Sequence, residues 1–418
     1  MIKFGTDGIR AVVGRKFSEK ECFRCGTAFK NKVILIGRDT RASGERLKNA
    51  FICGVESVGG KVLDIGVCST PGVAYLTIKN NCDFGVVISA SHNGYKYNGI
   101  KIFNSIGEKI SSTQERRIEK FLNRTDVSAF VCKNRATKLD LLPYINFLCG
   151  DMRKINKTVV LDCANGAVSE IAPKVFSSVG CKVYSMSHTP NGRNINLRCG
   201  ATCITRLRKT VVNLQADLGF AFDGDGDRVI AVDKTGNVFD GDKIIYILAK
   251  NTLKKGEKVV GTIYSNEALS LALKKLGIKF FRANVGDKNV RKVMKTKQCV
   301  LGGEPAGHII LNKYLPTGDG LLTSIILTKI CAINKARLSD FVDYKPFYQA
   351  KANLFYNEDF DLAKVKLCVS KIKRGLAGKV RIVVRKSGTE PCVRVLVESA
   401  SKTLAQKTLE NIKQNLTI

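Results

Sequence analysis

The stretch Leu218-Gly-Phe-Ala-Phe-Asp-Gly-Asp-Gly-Asp-Arg-Val-Ile-Ala-Val232 places an acidic, glycine-rich loop between two short apolar runs. Apolar runs of this length are typical of buried strands. Alternate residues of an extended backbone point to the same side, so Asp223, Asp225 and Asp227 are predicted to converge on one cation. Carboxylate oxygens are the ligands that hard divalent ions such as Mg²⁺ or Ca²⁺ prefer. The sequence therefore predicts a metal site between two strands.

An EF-hand calcium loop is the nearest alternative for this acidic segment. Counted from Asp223, such a loop needs glycine at its sixth position and glutamate at its twelfth. The chain has Arg228 and Lys234 at those positions, so the EF-hand is excluded. A solvated acidic turn is the other alternative, and the apolar runs on both sides argue against it.

Length and composition narrow the class of protein. The length of 418 residues predicts about three or four domains. The apolar content of 44% is sufficient for packed cores. No apolar run reaches the roughly 18 residues of a membrane span, and the N-terminus lacks a signal-peptide pattern, so we expect a cytoplasmic protein. The single C-x-x-C pair, Cys22 and Cys25, has no second pair at zinc-site spacing, which favours free thiols.

The net charge of +33 predicts attraction to anions, which include phosphorylated metabolites and nucleic acids. The densest basic tract, residues 364–386, contains apolar residues at helical spacing, Val365, Val369 and Ile372. It lacks the interleaved aromatic side chains on which bases stack. We interpret this tract as the solvated face of a surface helix, and nucleic-acid binding is kept as the alternative from a different functional class.

Apolar runs alternate with amphipathic stretches through most of the chain, and the rhythm restarts near Thr158 and Lys258. Such alternation predicts successive α/β domains. The end of the chain differs, because two strand-like runs, 379–384 and 393–397, are joined by a loop and followed by a helix-like tail. That order predicts a small α+β domain. We place the four domains at residues 1–150, 151–250, 251–345 and 346–418.

Two further motifs carry potentially reactive groups. In Ser89-Ala-Ser-His-Asn93, Ser91 stands beside His92 after a predicted strand, where it is either a nucleophile that must be activated or a capping serine. In Gly302-Gly-Glu-Pro-Ala-Gly-His308, Glu304 can accept hydrogen bonds from sugar hydroxyls and His308 can shuttle protons. Taken alone, this second motif is better explained by a structural pair in which each side chain satisfies a partner.

The motif Arg385-Lys-Ser-Gly-Thr-Glu-Pro391, followed by Arg394, joins the two C-terminal strands. The hydroxyls of Ser387 and Thr389, the amide of Gly388 and the neighbouring guanidinium groups favour an anion site. A basic hairpin tip is the alternative, and phosphate binding is preferred because hydroxyls, glycine and arginine coincide.

In their order along the chain, these motifs resemble those of the α-D-phosphohexomutase family over essentially the whole length. The resemblance is carried by five segments: Phe4-Gly-Thr-Asp-Gly-Ile-Arg10; Ser89 to Asn93 with Asn98-Gly-Ile-Lys101; Asp162-Cys-Ala-Asn-Gly166; Asp223 to Arg228; and Arg385 to Pro391. It implies four domains around a central cleft, of which three are similar mixed α/β/α domains and the last is a smaller α+β domain. Each domain would supply one loop to the cleft.

The resemblance also implies roles for individual residues. A phosphate on Ser91 and the three aspartates would hold Mg²⁺, and His92 would lie beside the reacting serine. The other implied roles are sugar binding by Glu304 and His308, phosphate binding by Arg385, Ser387, Gly388, Thr389 and Arg394, and contact with the transferring phosphoryl group by Arg10, Lys101 and Arg228. Either Lys101 or His308 would assist proton transfer. Ala306 stands where the family usually has serine, and Pro305 removes a backbone donor, so the sugar contacts are expected to differ.

The implied reaction moves a phosphoryl group between C6 and C1 of a hexose phosphate, through a sugar 1,6-bisphosphate that is both intermediate and activator. Glucosamine phosphate is the expected substrate, which would supply UDP-N-acetylglucosamine and cell-wall precursors; glucose or mannose phosphate is the alternative. The expected partner is this small phosphosugar, without a membrane and with nucleic acid disfavoured. The chain is expected to be a monomer or a homodimer.

Overall fold

The computed structural model describes residues 2–15, 17–124, 135–150, 155–356, 362–376, 378–386 and 391–415. These residues form four sheets that follow one another along the chain, each with helices packed against it. Three sheets are mixed and the last is antiparallel, so the predicted fold class is confirmed. The exact domain boundaries stay a prediction.

The first unit has a six-stranded sheet of order β1-β5-β4-β2-β3-β6. Its strands β2, β3, β4 and β6 are parallel, and β5 reverses direction beside β4. Its elements are β1 (Ile9–Val12), α1 (Glu19–Gly26), β2 (Val33–Arg38), α2 (Gly44–Glu56), β3 (Lys61–Val67), α3 (Thr70–Lys79), β4 (Phe84–Ile88), β5 (Tyr97–Asn104), α4 (Ser112–Leu122), β6 (Thr137–Lys138) and α5 (Leu142–Cys149).

The second and third units repeat this design with five and four strands. The second unit has β7 (Thr158–Asp162), α6 (Ile171–Ser178), β8 (Lys182–Met186), α7 (Thr205–Asn213), β9 (Leu218–Phe222), β10 (Val229–Asp233) and β11 (Val238–Phe239). The third has α8 (Gly241–Thr252), β12 (Lys258–Thr262), α9 (Glu267–Lys275), β13 (Lys279–Ala283), α10 (Asp287–Lys297), β14 (Leu301–Gly303), β15 (Ile309–Leu311), α11 (Gly320–Ile333) and α12 (Leu338–Phe341).

The fourth unit is a three-stranded antiparallel sheet with two helices. Its elements are β16 (Tyr348–Phe355), α13 (Leu362–Arg374), β17 (Arg381–Lys386), β18 (Cys392–Ser399) and α14 (Lys402–Asn415). Helix α13 buries Val365 and Val369 and leaves lysines outside, as its apolar spacing predicted.

The same hairpin recurs in all four units and carries the predicted motifs. In each, a strand runs into a loop and returns as its antiparallel neighbour: β4 to β5, β9 to β10, β14 to β15 and β17 to β18. We call the connecting segments the serine loop (89–97), the metal loop (223–228), the sugar loop (304–308) and the phosphate loop (387–391). Loops that connect the strands of a rigid sheet often carry functional residues, which makes these segments candidates for a shared site.

Core packing separates the fourth unit from the rest. One apolar cluster runs through the first three units, from Leu35 to Phe341, whereas the fourth unit has its own cluster. Hydrogen bonds join the third and fourth units. Arg381 donates to the carbonyls of Ile263 and Ser265 at 2.9 and 2.8 Å. The phosphate loop is therefore carried by a unit with a separate core.

The predicted free thiols at Cys22 and Cys25 are confirmed. Both are buried, and burial raises the pKa of each thiol well above its ordinary value. Cys53 differs, because it is in a disulfide. Of the helices in the described ranges, none has the length and apolar character needed to cross a bilayer.

Candidate active site

The four hairpins open onto one cavity of about 1010 Å³, which we call the cleft. Its described lining has nine lysine and arginine side chains against four aspartates and glutamates, so the cleft favours anions. Among the predicted site residues, it is lined by Arg10, His92, Arg228, His308, Arg385 and Arg394.

The three aspartates of the metal loop do converge. Carboxylate oxygens of Asp223, Asp225 and Asp227 lie within 4.8 Å of one another, and all three side chains are buried. Burial, together with the two neighbouring carboxylates, raises the pKa of Asp223 well above its ordinary value. Burial and the neighbouring charges therefore disfavour an ionised Asp223 that has no cation beside it.

Lys101 lies against these carboxylates and is 1% exposed. Its Nζ is 2.7 Å from Asp225 Oδ2, 2.8 Å from Asp227 Oδ2 and 3.2 Å from Asp7 Oδ2. Although burial opposes it, this carboxylate cluster raises the pKa of Lys101 well above its ordinary value. Lys101 is therefore a fixed positive charge beside the aspartates.

The donor set fits a hard divalent cation. Oδ1 of Asp225 and Oδ1 of Asp227 are buried and have no hydrogen-bond partner in the part of the chain that the structure describes. A buried carboxylate oxygen without a partner is costly, and a bound cation removes that cost. With only oxygen donors available from the loop, Asp223, Asp225 and Asp227 would hold such an ion.

The serine loop docks directly on the metal loop. Ser91 is fully buried, and its Oγ donates a hydrogen bond to Asp223 Oδ2 at 2.6 Å. The backbone at Ser91 is left-handed, with φ of 50°. A non-glycine residue in that conformation is strained unless its surroundings hold it. The two loops come from different units, so packing between the units creates this contact.

The two histidines of the cleft have different environments. Burial, followed by the charges of Arg228 and Arg10, lowers the pKa of His92 to about 4, so its ring is neutral at pH 7. His92 Nδ1 is 3.4 Å from Ser91 Oγ. His308 Nε2 accepts a hydrogen bond from the Gly318 amide at 3.1 Å, so the proton of the neutral ring lies on Nδ1. Burial opposes a raised pKa at His308, yet the Asp227 carboxylate, 3.8 Å away, raises it.

Arginines from strand β1, the metal loop and strand β17 reach the cleft. The Nε atoms of Arg10, Arg228 and Arg385 are buried without a hydrogen-bond partner among the described residues. Unpaired guanidinium donors around a cavity suit an anion with several oxygens. Ser387, Gly388 and Thr389 of the predicted phosphate site lie outside the described residues.

Glu304 contacts the loop that precedes α10. Its Oε1 accepts a hydrogen bond from the Gly286 amide at 3.0 Å, and it does not line the cleft. Pro305 and Ala306 line a second cavity of about 350 Å³ between the third and fourth units. Sugar binding by Glu304 stays a prediction.

Ion pairs join the first unit to the third across the cleft. Glu108 pairs with Arg291 at 2.8 Å and with Lys295 at 2.6 Å. Lys109 contacts both Asp7 and Asp287. The same cations line the cleft, so they also contribute to its positive potential.

Sequence reasoning missed several residues that shape the site. Thr70 donates through its hydroxyl to Asp225 Oδ2 at 2.5 Å and through its amide to the Asp225 carbonyl at 2.9 Å. The Ser-Thr-Pro-Gly start of α3 was a helix-start signal for it. Asn196 contacts the serine loop from a long irregular segment, and no local pattern marked it.

Family models match nearly the whole chain. Phosphoglucomutase/phosphomannomutase α/β/α domains I, II and III match residues 1–128, 142–236 and 240–347, and the C-terminal domain matches residues 346–414. The chain therefore belongs to the phosphoglucomutase/phosphomannomutase family, a class of phosphosugar mutases, which confirms the resemblance seen in its motifs.

Similar curated proteins narrow the class further. The chain is 44% identical to a phosphoglucosamine mutase of Buchnera aphidicola, covering 95% of this chain and 93% of that protein. It is 41% identical to the phosphoglucosamine mutase of Glaesserella parasuis, covering 98% of both.

Solved structures show the same fold at lower identity. A phosphoglucomutase/phosphomannomutase family protein of Burkholderia thailandensis matches with a TM-score of 0.83 at 21% identity, covering 100% of this chain and 98% of that one. An N-acetylphosphoglucosamine mutase of Aspergillus fumigatus, in complex with GlcNAc-6P and magnesium, matches with a TM-score of 0.69 at 16% identity, covering 100% and 95%.

Proposed function

We propose that the protein is a phosphosugar mutase that interconverts glucosamine 6-phosphate and glucosamine 1-phosphate. The observation that carries the proposal is Ser91 Oγ, buried on the metal loop at 2.6 Å from Asp223 and next to a cationic cleft. The curated relatives at 41–44% identity support glucosamine phosphate as the substrate. The product would supply UDP-N-acetylglucosamine and cell-wall precursors.

In the proposed reaction, Ser91 carries a phosphoryl group. A sugar hydroxyl oxygen attacks the phosphorus, the bond from phosphorus to Ser91 Oγ breaks, and the hydroxyl proton passes to the freed serine oxygen. The resulting sugar 1,6-bisphosphate turns around and returns its other phosphoryl group to Ser91. The same bisphosphate restores the phosphoserine when it is lost.

Charge balance gives each nearby residue a role. Phosphoserine adds close to two negative charges, which Lys101, Arg10 and Arg228 offset. Mg²⁺ is the cation we propose for the three aspartates and the Ser91 phosphate, and it would supply Lewis-acid stabilisation of the transferring phosphoryl oxygens. Since Lys101 holds its proton, a neutral imidazole, either that of His92 or the unprotonated form of His308, would relay the hydroxyl proton to the freed serine oxygen.

Retention of the bisphosphate follows from the same charges. An intermediate that turns around must stay bound while neither phosphate is in its final place. The net positive lining of the cleft supplies an attraction that does not depend on orientation. Arg385 and Arg394 would then bind whichever phosphate is not reacting.

A substrate panel tests the proposed sugar. We expect kcat/KM for glucosamine phosphate to exceed that for glucose or mannose phosphate by about tenfold or more, since one well-placed polar contact is worth at least about 1.4 kcal/mol. Coupled assays with each 1-phosphate and 6-phosphate, with Mg²⁺ and with a chelator, measure it. Equal or higher kcat/KM for glucose or mannose phosphate would favour the alternative within the family.

Replacement of Arg385 by alanine tests phosphate binding. We expect KM for glucosamine phosphate to rise about 10- to 100-fold, because a charge-assisted hydrogen bond contributes about 1.5–3 kcal/mol. The neighbouring Lys386 is exposed, so Lys386→Ala is a matched control that should leave KM within about twofold. A similar rise in both variants would point to general charge attraction instead of a site.

A further inference from the structure

Arg41 is a buried arginine whose guanidinium group donates to four carbonyls of the serine loop and to Asp39. Nε donates to Asp39 Oδ2 at 2.8 Å. Nη1 donates to the carbonyls of Gly94 and Tyr97 at 2.5 and 3.0 Å, and Nη2 donates to those of Ser91 and Asn93 at 2.9 and 2.8 Å. A guanidinium group has five N–H donors, and all five are used here.

Asn196, from the second unit, binds two of the same carbonyls. Its Nδ2 donates to Ser91 O at 2.8 Å and to Asn93 O at 3.1 Å. The carbonyls on either side of His92 are thus each held twice, once from within the first unit and once across the boundary between units. We call Arg41 and Asn196 the carbonyl clamp.

The carbonyl clamp explains how the strained serine is held. With the Ser91 carbonyl bound, and its amide donating to Ser89 Oγ at 2.9 Å, the left-handed backbone at Ser91 has both peptide groups satisfied. Ser89 Oγ in turn donates to Asp39 Oδ2, the carboxylate oxygen that Arg41 also binds. The carbonyls point to Arg41, and Oγ points to Asp223.

The metal loop packs on the same carbonyl. A Cβ atom built on Gly224 would lie 2.6 Å from Ser91 O and 2.7 Å from Asn196 Nδ2. No side chain fits there, so the backbone of the metal loop lies directly against the carbonyl clamp. The position of the Ser91 carbonyl therefore sets the separation between the serine and the aspartates.

We propose that Arg41 and Asn196 are positioning residues for phosphoryl transfer. They hold the Ser91 backbone in its left-handed form, so that Oγ and the phosphate it carries stay aligned with the metal loop. The inference rests on the proposed function of Ser91. Neither residue lines the cleft, so their loss should affect the transfer step and leave sugar-phosphate binding intact.

Asn196→Gly is the sharper test. Asn196 has φ of 57°, which glycine tolerates, so this change removes the amide without adding strain. We expect kcat to fall about tenfold or more, with KM for glucosamine phosphate within about twofold and Tm within a few degrees. Asn191→Gly is the matched control, because Asn191 is exposed in the same segment and makes no contact with the serine loop.

Arg41→Lys tests the other half of the clamp. Lysine keeps the charge but has three donors for five acceptors, so we expect kcat to fall about 100-fold, with Arg46→Lys on exposed Arg46 as the control. Should Arg41→Lys fail to fold, Asn196→Gly decides alone.

A wild-type kcat in Asn196→Gly, or a loss of kcat matched by a proportional rise in KM, would overturn the inference. Wild-type protein without phosphoserine or turnover would instead overturn the proposed function.

Discussion

Ser91→Ala is expected to abolish mutase turnover, lowering kcat by at least about 10⁴-fold, because Ser91 Oγ is the group proposed to carry the phosphoryl group between the two half-reactions. Ser91 is fully buried on the metal loop, and its Oγ has Asp223 as a hydrogen-bond acceptor. Intact-mass measurement of the wild-type protein should find one phosphoryl group, mapped to Ser91 by peptide analysis. The variant should lack it.

The matched control for this change is Ser105→Ala. Ser105 is an exposed serine in the turn after β5, and its loss should change neither the phosphate content nor kcat. Binding gives a second check. Ser91→Ala keeps the cleft arginines, so its affinity for glucosamine phosphate should stay within about threefold of wild type. Full turnover by Ser91→Ala, with phosphate on another residue, would refute the proposed reaction.

Asp223→Asn is expected to lower kcat/KM by roughly 10³-fold in the presence of Mg²⁺, since a bound metal contributes several kcal/mol to stabilising the transferring group. Loss of one charged ligand should also weaken metal binding by more than about tenfold. Titration of Mg²⁺ against Tm measures that affinity, because a ligand that binds the folded state raises Tm. A chelator should lower the activity of the wild type to a similar level.

The stability of Asp223→Asn without metal shows whether Asp223 serves as a metal ligand or stabilises the loop by itself. The folded protein raises the pKa of Asp223 by burial and by the Asp227 and Asp225 carboxylates, so the ionised form costs stability above that pKa. Asparagine is neutral and has one acceptor oxygen in place of two. It can therefore lose one of the two hydrogen bonds that Asp223 accepts, from Ser91 Oγ at 2.6 Å or from the Arg228 amide at 3.1 Å, at a cost of about 1 kcal/mol.

Without metal, the Tm of this variant should therefore equal or exceed that of wild type. Asp340→Asn, on exposed Asp340, is the control for a surface carboxylate. A metal-free Asp223→Asn that unfolds well below wild type would mean that Asp223 stabilises the loop by itself.

Local patterns were sufficient for most of the architecture. Short apolar runs predicted β9, β10, β17 and β18, and helical spacing predicted α13, because burial of one side of an element follows from its period. The alternating aspartates of the metal loop predicted their own convergence for the same reason. The net charge of +33 predicted an affinity for anions but did not indicate where anions bind. The fold places nine lysine and arginine side chains around the cleft.

The sequence by itself determined the elements, the four hairpin loops and the residue types they carry, since these depend on neighbours in the chain. Tertiary structure decided which groups meet. Lys101 reaches Asp225 and Asp227 from more than a hundred residues away, and Asn196 binds Ser91 O across a boundary between units. Such contacts arise from the packing of separate sheets, and no periodicity along the chain records them. The serine, its clamp and its aspartates form one site only after the first two units have packed together.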